Sequence, residues 1–89
     1  MEIADVDRMA RAVALVERLS AEAQRDAIAA RRIEQPYFEF WIDKKGWERI
    51  VHPVEFWSEA ARRALPFYSV EVWWHDAPPH YVYVIARAA

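Results

Sequence analysis

The sequence predicts an α+β fold in the element order α-β-β-α-β-β, with a four-stranded sheet that two helices cover on one face. Three observations lead to this prediction. Two stretches carry apolar residues at spacings of three and four, as expected of helices that bury one side. Two pairs of shorter stretches are rich in aromatic and β-branched residues, which favours hairpins. Prolines and the single glycine stand at the boundaries between these stretches.

Residues 3–33 form the first predicted helix. Ser20 is a favourable N-cap residue, so a break after Leu19 and a second helical segment with Glu22 in its first turn are compatible with the sequence. Pro36 ends the helical zone. The apolar stripe of the first half consists of Ile3, Val6, Met9, Ala10, Val13, Val16 and Leu19.

Residues 37–51 form the first predicted hairpin. The stretch "DKKG" is typical of a type I turn followed by a left-handed residue, here Gly46. This turn pairs the two halves of the hairpin and places Trp41 opposite Arg49, a favourable cation–π pair. The core face then contains Phe38, Phe40, Ile42 and Ile50, and the second face contains Tyr37, Trp41, Trp47, Arg49 and Val51.

The second helix and the second hairpin fill the rest of the chain. Pro53 suits the first position of the helix, and Pro66 stops it. The stretches "FYSVEVWWH" and "HYVYVIARAA" then pair around "DAPP" in one of two registers, which expose opposite faces. A four-residue loop turns Tyr81 and Tyr83 inward. A five-residue loop adds to the second face Trp73, Tyr81, Tyr83 and Arg87.

This element order corresponds to a permuted ferredoxin-like sandwich. Moving the last strand to the front gives β-α-β-β-α-β, in which the first and last strands are antiparallel neighbours. The last strand, residues 81–86, is the most apolar and is expected at the centre of the sheet. Two independent hairpins packed on helices are the alternative. In either case residues 1–89 form a single domain.

Composition excludes several classes of protein. The chain has 12 basic and 14 acidic residues and a net charge of −2, so it lacks the broad positive surface of a duplex-DNA binder. It has no cysteine for a disulfide, a thiolate or a cysteine-bound metal. No apolar run approaches the ~18 residues of a membrane span, and the charged N-terminal stretch does not resemble a signal peptide. We therefore expect a cytoplasmic protein without a membrane partner.

The aromatic second face of the sheet is the main functional feature of the sequence. Two helices cover one side of a single sheet, so the rings on the other side would form an exposed patch of roughly several hundred Å². Such patches mark contact surfaces, unless the first half of the long helix folds across this one. The expected anchors for a protein partner or a second copy are Tyr37, Trp41, Trp47, Arg49, Trp73, Tyr81 and Tyr83. On this hypothesis Trp47→Ala weakens binding and leaves the fold intact.

Two alternatives to protein binding remain open. The stretch "KGWERIVH" partly resembles the RNP1 pattern of RNA-recognition motifs, with Lys45, Gly46, Trp47 and Ile50 matching. The same rings therefore suit a small molecule or a single-stranded nucleic acid. The negative net charge does not favour the nucleic acid. A small dimeric enzyme would use residues near the second face, namely Glu39, Glu71 and His75.

No metal, cofactor or catalytic motif stands out. The weak candidates for metal ligands are His75, Asp76 and His80, whose spacing matches no established motif. The sequence therefore favours a small non-catalytic interaction domain over an enzyme. Accessory proteins, inhibitors of larger complexes (including phage-encoded ones) and designed domains all fit this description.

Overall fold

Two helices cover one face of a three-stranded antiparallel sheet. The structure, a computed structural model, describes residues 2–29, 37–47, 49–75 and 81–88, with side chains from residue 6 onward. The sheet has the order β1-β3-β2. The elements are α1 (Glu2–Ala29), β1 (Tyr37–Asp43), α2 (Pro53–Ala64), β2 (Tyr68–Trp74) and β3 (Tyr81–Ala88). The prediction of an α+β fold is thus confirmed.

Helix α1 is continuous over its 28 residues. Ala12, Val16 and Ser20 are spaced four apart and are buried on one side of it. The Ser20 hydroxyl donates a hydrogen bond to the Val16 carbonyl one turn earlier, which satisfies the hydroxyl inside a helix. A break after Leu19, with Ser20 as an N-cap, is therefore wrong. The predicted helical residues 30–33 lie outside the described residues.

Helix α2 begins and ends where the prolines predict. Pro53 is its first residue and Pro66 follows its end. Trp57 is fully buried at the centre of the core, and its indole N–H has no hydrogen-bond partner in the part of the chain that the structure describes. None of the described helices is both long and apolar enough to cross a membrane.

Strand β3 lies between the other two strands, as the sequence predicts for its most apolar strand. Of the two open registers the structure has the five-residue connection, because the His75 N–H donates to the Tyr81 carbonyl at 3.1 Å and Trp73 lies opposite Tyr83. The inward side chains of β3 are completely buried, namely Val82, Val84 and Ala86. Both neighbours of β3 therefore contribute to one continuous core.

The predicted hairpin of residues 37–51 is wrong. Residues 47 and 49–51 form no strand; the Trp47 N–H donates to the Lys44 carbonyl at 2.7 Å, and the chain turns towards α2 with Gly46 at a left-handed φ of 88°. β1 pairs with β3 instead. The four-stranded sheet and the ferredoxin-like order that depends on it are not found among the described residues. The physical reason is that the Trp47 side chain packs against α2, whereas in the predicted hairpin it would lie on the exposed second face of the sheet.

Trp47 belongs to the core side of the molecule. Its ring lies 5.0 Å from the Trp57 ring and 6.0 Å from the Phe56 ring. The Arg11 guanidinium lies 5.4 Å from the ring centre on another side. These contacts make the ring a structural element that holds the 44–52 loop against both helices.

Lys44 closes one end of the core. Its side chain is 3% exposed, its ammonium lies 4.1 Å from the centre of the Trp74 ring, and it donates a hydrogen bond to the His75 carbonyl. Lys44 follows β1 and His75 follows β2, and β3 lies between these strands. The lysine therefore links the ends of the two outer strands across the start of the central one.

We expect Trp47→Ala to lower the free energy of unfolding by about 2 kcal/mol, because it opens a cavity beside two aromatic rings and removes the contact with Arg11. Urea unfolding monitored by circular dichroism measures this change. Phe67→Ala is the matched control, because Phe67 is 83% exposed and its loss should cost about 0.5 kcal/mol or less. Equal midpoints for the wild type and Trp47→Ala would show that the ring is not part of the core.

Candidate functional site

The sheet face opposite the helices, here called the open face, is formed by alternate residues of the three strands. Helix α1 packs on the other face, so the expectation that its first half could cover these rings is wrong. Trp41 and Trp73 are 51% and 53% exposed on this face. Its members are Tyr37, Glu39, Trp41 and Asp43 of β1, Ser69, Glu71, Trp73 and the adjoining His75 of β2, and Tyr81, Tyr83, Ile85 and Arg87 of β3.

A row of three aromatic residues crosses the open face. Trp41 and Trp73 lie on either side of Tyr83 in the register of the sheet. The Trp41 and Tyr83 rings are 4.3 Å apart between centroids and inclined by 32°, close to an offset stack. Tyr81 and His75 extend the cluster on one side, at 5.6 Å and 5.8 Å from the Trp41 ring. The result is a continuous aromatic surface with two half-exposed indoles.

Two carboxylates hold the polar ends of these rings. Glu39 accepts hydrogen bonds from the Tyr83 hydroxyl and from the Tyr37 hydroxyl, the latter at 2.5 Å. Glu71 accepts from the Trp73 indole N–H at 3.1 Å and from Arg87 at 3.4 Å. Glu39 and Glu71 lie in the same row of the sheet, on either side of β3. The Tyr37, Tyr83 and Trp73 rings therefore have preferred orientations before any partner binds.

The surroundings of two tyrosine hydroxyls raise their pKa. Burial, and then the hydrogen bond to Glu39, raises the pKa of Tyr83 well above its ordinary value. The same carboxylate, through its hydrogen bond, is the main cause that raises the pKa of Tyr37. Both hydroxyls therefore remain hydrogen-bond donors to a higher pH than an ordinary tyrosine would.

The open face is acidic. It carries three carboxylates, of Glu39, Asp43 and Glu71, against the single guanidinium of Arg87. Arg87 lies over the Tyr37 ring at 5.6 Å and forms a 3.4 Å ion pair with Glu71. The face therefore combines electron-rich rings with negative charge, which suits positively charged groups better than phosphates.

The structure brings together five of the seven predicted anchors. Tyr37, Trp41, Trp73, Tyr81 and Tyr83 all lie on the open face. Their role in binding a partner stays a prediction.

Trp47 and Arg49 lie elsewhere, so their predicted placement on this face is wrong. Both line a recess on the helical side together with Arg8 of α1. The reason is that Trp47 and residues 49–51 lie outside the sheet, so that Trp41 pairs with Tyr83 rather than with Arg49.

The candidates for metal binding and catalysis form no enclosed site. Among the described residues no group of three histidine, aspartate or glutamate side chains could hold a metal ion. Asp76 and His80 lie outside those residues. Glu39, Glu71 and His75 do lie on the open face, as the enzyme hypothesis expects, but all three are exposed rather than enclosed in a cleft.

Sequence reasoning missed a groove beside the open face. A recess of about 360 Å³ lies between β1 and the C-terminal half of α1. The spacing of four between Leu19, Ala23 and Ala27, and between Glu22 and Asp26, is visible in the sequence as an apolar stripe with an acidic border. The groove could not be predicted from this spacing because it depends on how the C-terminal half of α1 packs beside β1.

Comparison of the chain with models of protein families, with curated proteins and with solved structures finds no match. The function is therefore inferred from the geometry and the charge of the open face and of the groove beside it.

We expect Glu39→Gln to lower the pKa of both Tyr37 and Tyr83, because an amide no longer opposes the negative charge of a tyrosinate. The fall should be the more complete for Tyr37, since the hydrogen bond to Glu39 is the largest cause there, whereas burial is the largest cause for Tyr83. Tyrosine ring shifts followed by NMR during an alkaline titration measure both values. Glu71→Gln, on the same face, is the control and should leave them unchanged; no shift in Glu39→Gln would contradict the assigned hydrogen bonds.

Proposed function

We propose that this protein is a small non-catalytic interaction domain, of the accessory or inhibitor type, that binds a protein through the open face of its sheet. The bound protein is another polypeptide or a second copy of the chain. The observation that carries the proposal is the row formed by Trp41, Tyr83 and Trp73: both indoles are half exposed, and hydrogen bonds to glutamates orient Tyr83 and Trp73. Tryptophan and tyrosine are the residues most enriched at the energetic centres of protein interfaces.

The exposed indoles supply the binding energy. Covering the exposed half of one tryptophan side chain removes about 100 Å² from water, roughly 2–3 kcal/mol at about 25 cal/mol per Å². Trp41 and Trp73 each offer this much. Because Glu39 and Glu71 already hold the neighbouring polar groups, little side-chain freedom is lost when a partner covers the rings.

The charge of the open face favours a protein over the alternative ligands. A single-stranded nucleic acid would stack its bases on the rings, but its phosphates would meet the carboxylates of Glu39, Asp43 and Glu71. The ring of the RNP1-like stretch is also absent from the open face, since Trp47 packs on α2. An enzyme would need a water-excluding cleft around its acid or base, whereas the open face is exposed.

The open face by itself gives a small interface. Three strands about 4.8 Å apart and seven residues of about 3.3 Å give a projected area of roughly 300 Å². A standard interface buries about 800 Å² per partner. A partner that binds stably must therefore also contact surfaces beyond the open face.

We expect the double variant Trp41→Ser/Trp73→Ser to remove binding while keeping the fold. Peptides selected on the wild-type protein from a random display library should bind this variant at least about 30-fold more weakly, the ratio that corresponds to about 2 kcal/mol. Phe67→Ser is the matched control, because Phe67 is an exposed aromatic residue that precedes β2 and is not part of the row formed by Trp41, Tyr83 and Trp73. Circular dichroism checks that both variants fold.

Light scattering provides the second part of this test. If the wild type is a dimer, the same double variant should be a monomer, and the partner is then a second copy. The proposal fails if selected peptides bind the double variant as tightly as the wild type and the mass in solution does not change. Tight, salt-dependent binding of a thymidine oligonucleotide that quenches tryptophan fluorescence would instead favour the nucleic-acid alternative.

A further inference from the structure

We propose that the partner contributes an extended, basic segment that pairs with the outer edge of β1 as a fourth strand of the sheet. One row of its side chains would enter the groove between β1 and α1, and the other row would lie beside the open face. This inference rests on the proposed function, because it names the conformation and the charge of the partner.

The outer edge of β1 is suited to pairing. β1 pairs with β3 on one side, and no strand lies on its other side in the part of the chain that the structure describes. In an antiparallel sheet, alternate residues of such an edge direct their N–H and C=O groups outward. Proteins usually block edges with charged side chains, especially lysine, with proline or with a bulge. The sequence "YFEFWID" contains neither lysine nor proline, and its pairing with β3 runs without interruption from Tyr37 to Asp43. Its two charges, of Glu39 and Asp43, are negative and would repel an acidic strand rather than a basic one.

The groove provides room for the side chains of an added strand. On the helix side it is lined by Leu19, Ala23 and Ala27, two of which are no larger than a methyl group. Its volume of about 360 Å³ lies directly beside Phe38 and Phe40 of β1. Successive side chains of a strand point to opposite faces, so every second side chain of the partner would enter this groove.

The charge of the groove determines the chemistry of the partner. Glu22 and Asp26 border it on the helix side and form no ion pair with any described residue, although Arg18 and Arg25 stand on the same helix. Glu39 adds a third carboxylate on the side of the open face. Lysine or arginine side chains would meet these acids on both sides of the edge.

The Trp41 ring strengthens the same preference for cations. It lines the groove as well as the open face, and the face of an indole attracts lysine and arginine. An added strand would also supply contacts beyond the open face, which is too small for a standard interface by itself. Strand addition thus joins the groove and the aromatic row into one site.

The test uses three synthetic peptides of about eight residues, the length that matches a strand such as β1. The first alternates lysine and valine, the second alternates glutamate and valine, and the third is the lysine peptide with every second backbone nitrogen methylated along one edge. Binding is followed by fluorescence anisotropy, and the contact is located from backbone amide shifts in NMR spectra of the full chain.

We expect the lysine peptide to bind and to shift the amides of β1, and the other two peptides to bind at least about tenfold more weakly. The double variant Glu22→Lys/Asp26→Lys should weaken binding of the lysine peptide by a similar factor. Glu17→Lys/Glu55→Lys is the matched control: it makes the same change in net charge at exposed residues outside the groove and should have a smaller effect.

Several outcomes overturn the inference. They are equal binding of the glutamate peptide, amide shifts on β2 rather than β1, no binding of any of the three peptides, or a dimer whose β1 amides are already protected from exchange. Shifts confined to Trp41, Tyr83 and Trp73 overturn it while supporting the open face as the binding site. If the lysine peptide shifts β1 and binds Trp73→Ser, which changes the open face outside the groove, as tightly as the wild type, the edge inference holds and the proposed function of the open face fails.

Discussion

The pairing of β3 with a strand on each side is the constraint on which the rest of the structure depends. Its inward residues Val82, Val84 and Ala86 are covered completely because β1 and β2 flank them and both helices lie above. The same pairing determines which side chains lie on the opposite face of the sheet, because successive side chains of a strand point to opposite faces. Tyr83, between Val82 and Val84, must therefore point to the open face, and the register brings Trp41 and Trp73 beside it.

The division of each strand's side chains between the two faces of the sheet could be predicted from the sequence. Most of the correct predictions follow from this alternation. The alternation in residues 37–43 places Phe38, Phe40 and Ile42 inward and Trp41 outward, whichever strand is the neighbour. The face of Tyr83, by contrast, depended on the length of the second loop. Two lengths were compatible with the sequence, and the structure has the one that buries Val82 and Val84 rather than two tyrosines.

The partner of β1 could not be predicted in the same way. A short turn with glycine favours pairing between neighbouring segments, and that local signal suggested the strand at residues 47–51. Against it stood a tertiary effect: Trp47 packs on Phe56 and Trp57, while β3 offers β1 an apolar partner. Gly46 has the left-handed φ that the turn signal predicts. The turn was therefore predicted correctly, and only the strand expected after it was wrong.

The packing of residues 47 and 49–51 away from the sheet also explains where the proposed binding site lies. With that segment outside the sheet, β1 pairs directly with β3, and Glu22 and Asp26 of α1 border the groove on the outer side of β1. Lys44, the first residue of that loop, is held by its contacts with the Trp74 ring and the His75 carbonyl. The packing of the segment on the helical side therefore stabilises the core and leaves the sheet with three strands among the described residues, and a partner strand would supply the fourth strand that the sequence by itself suggested.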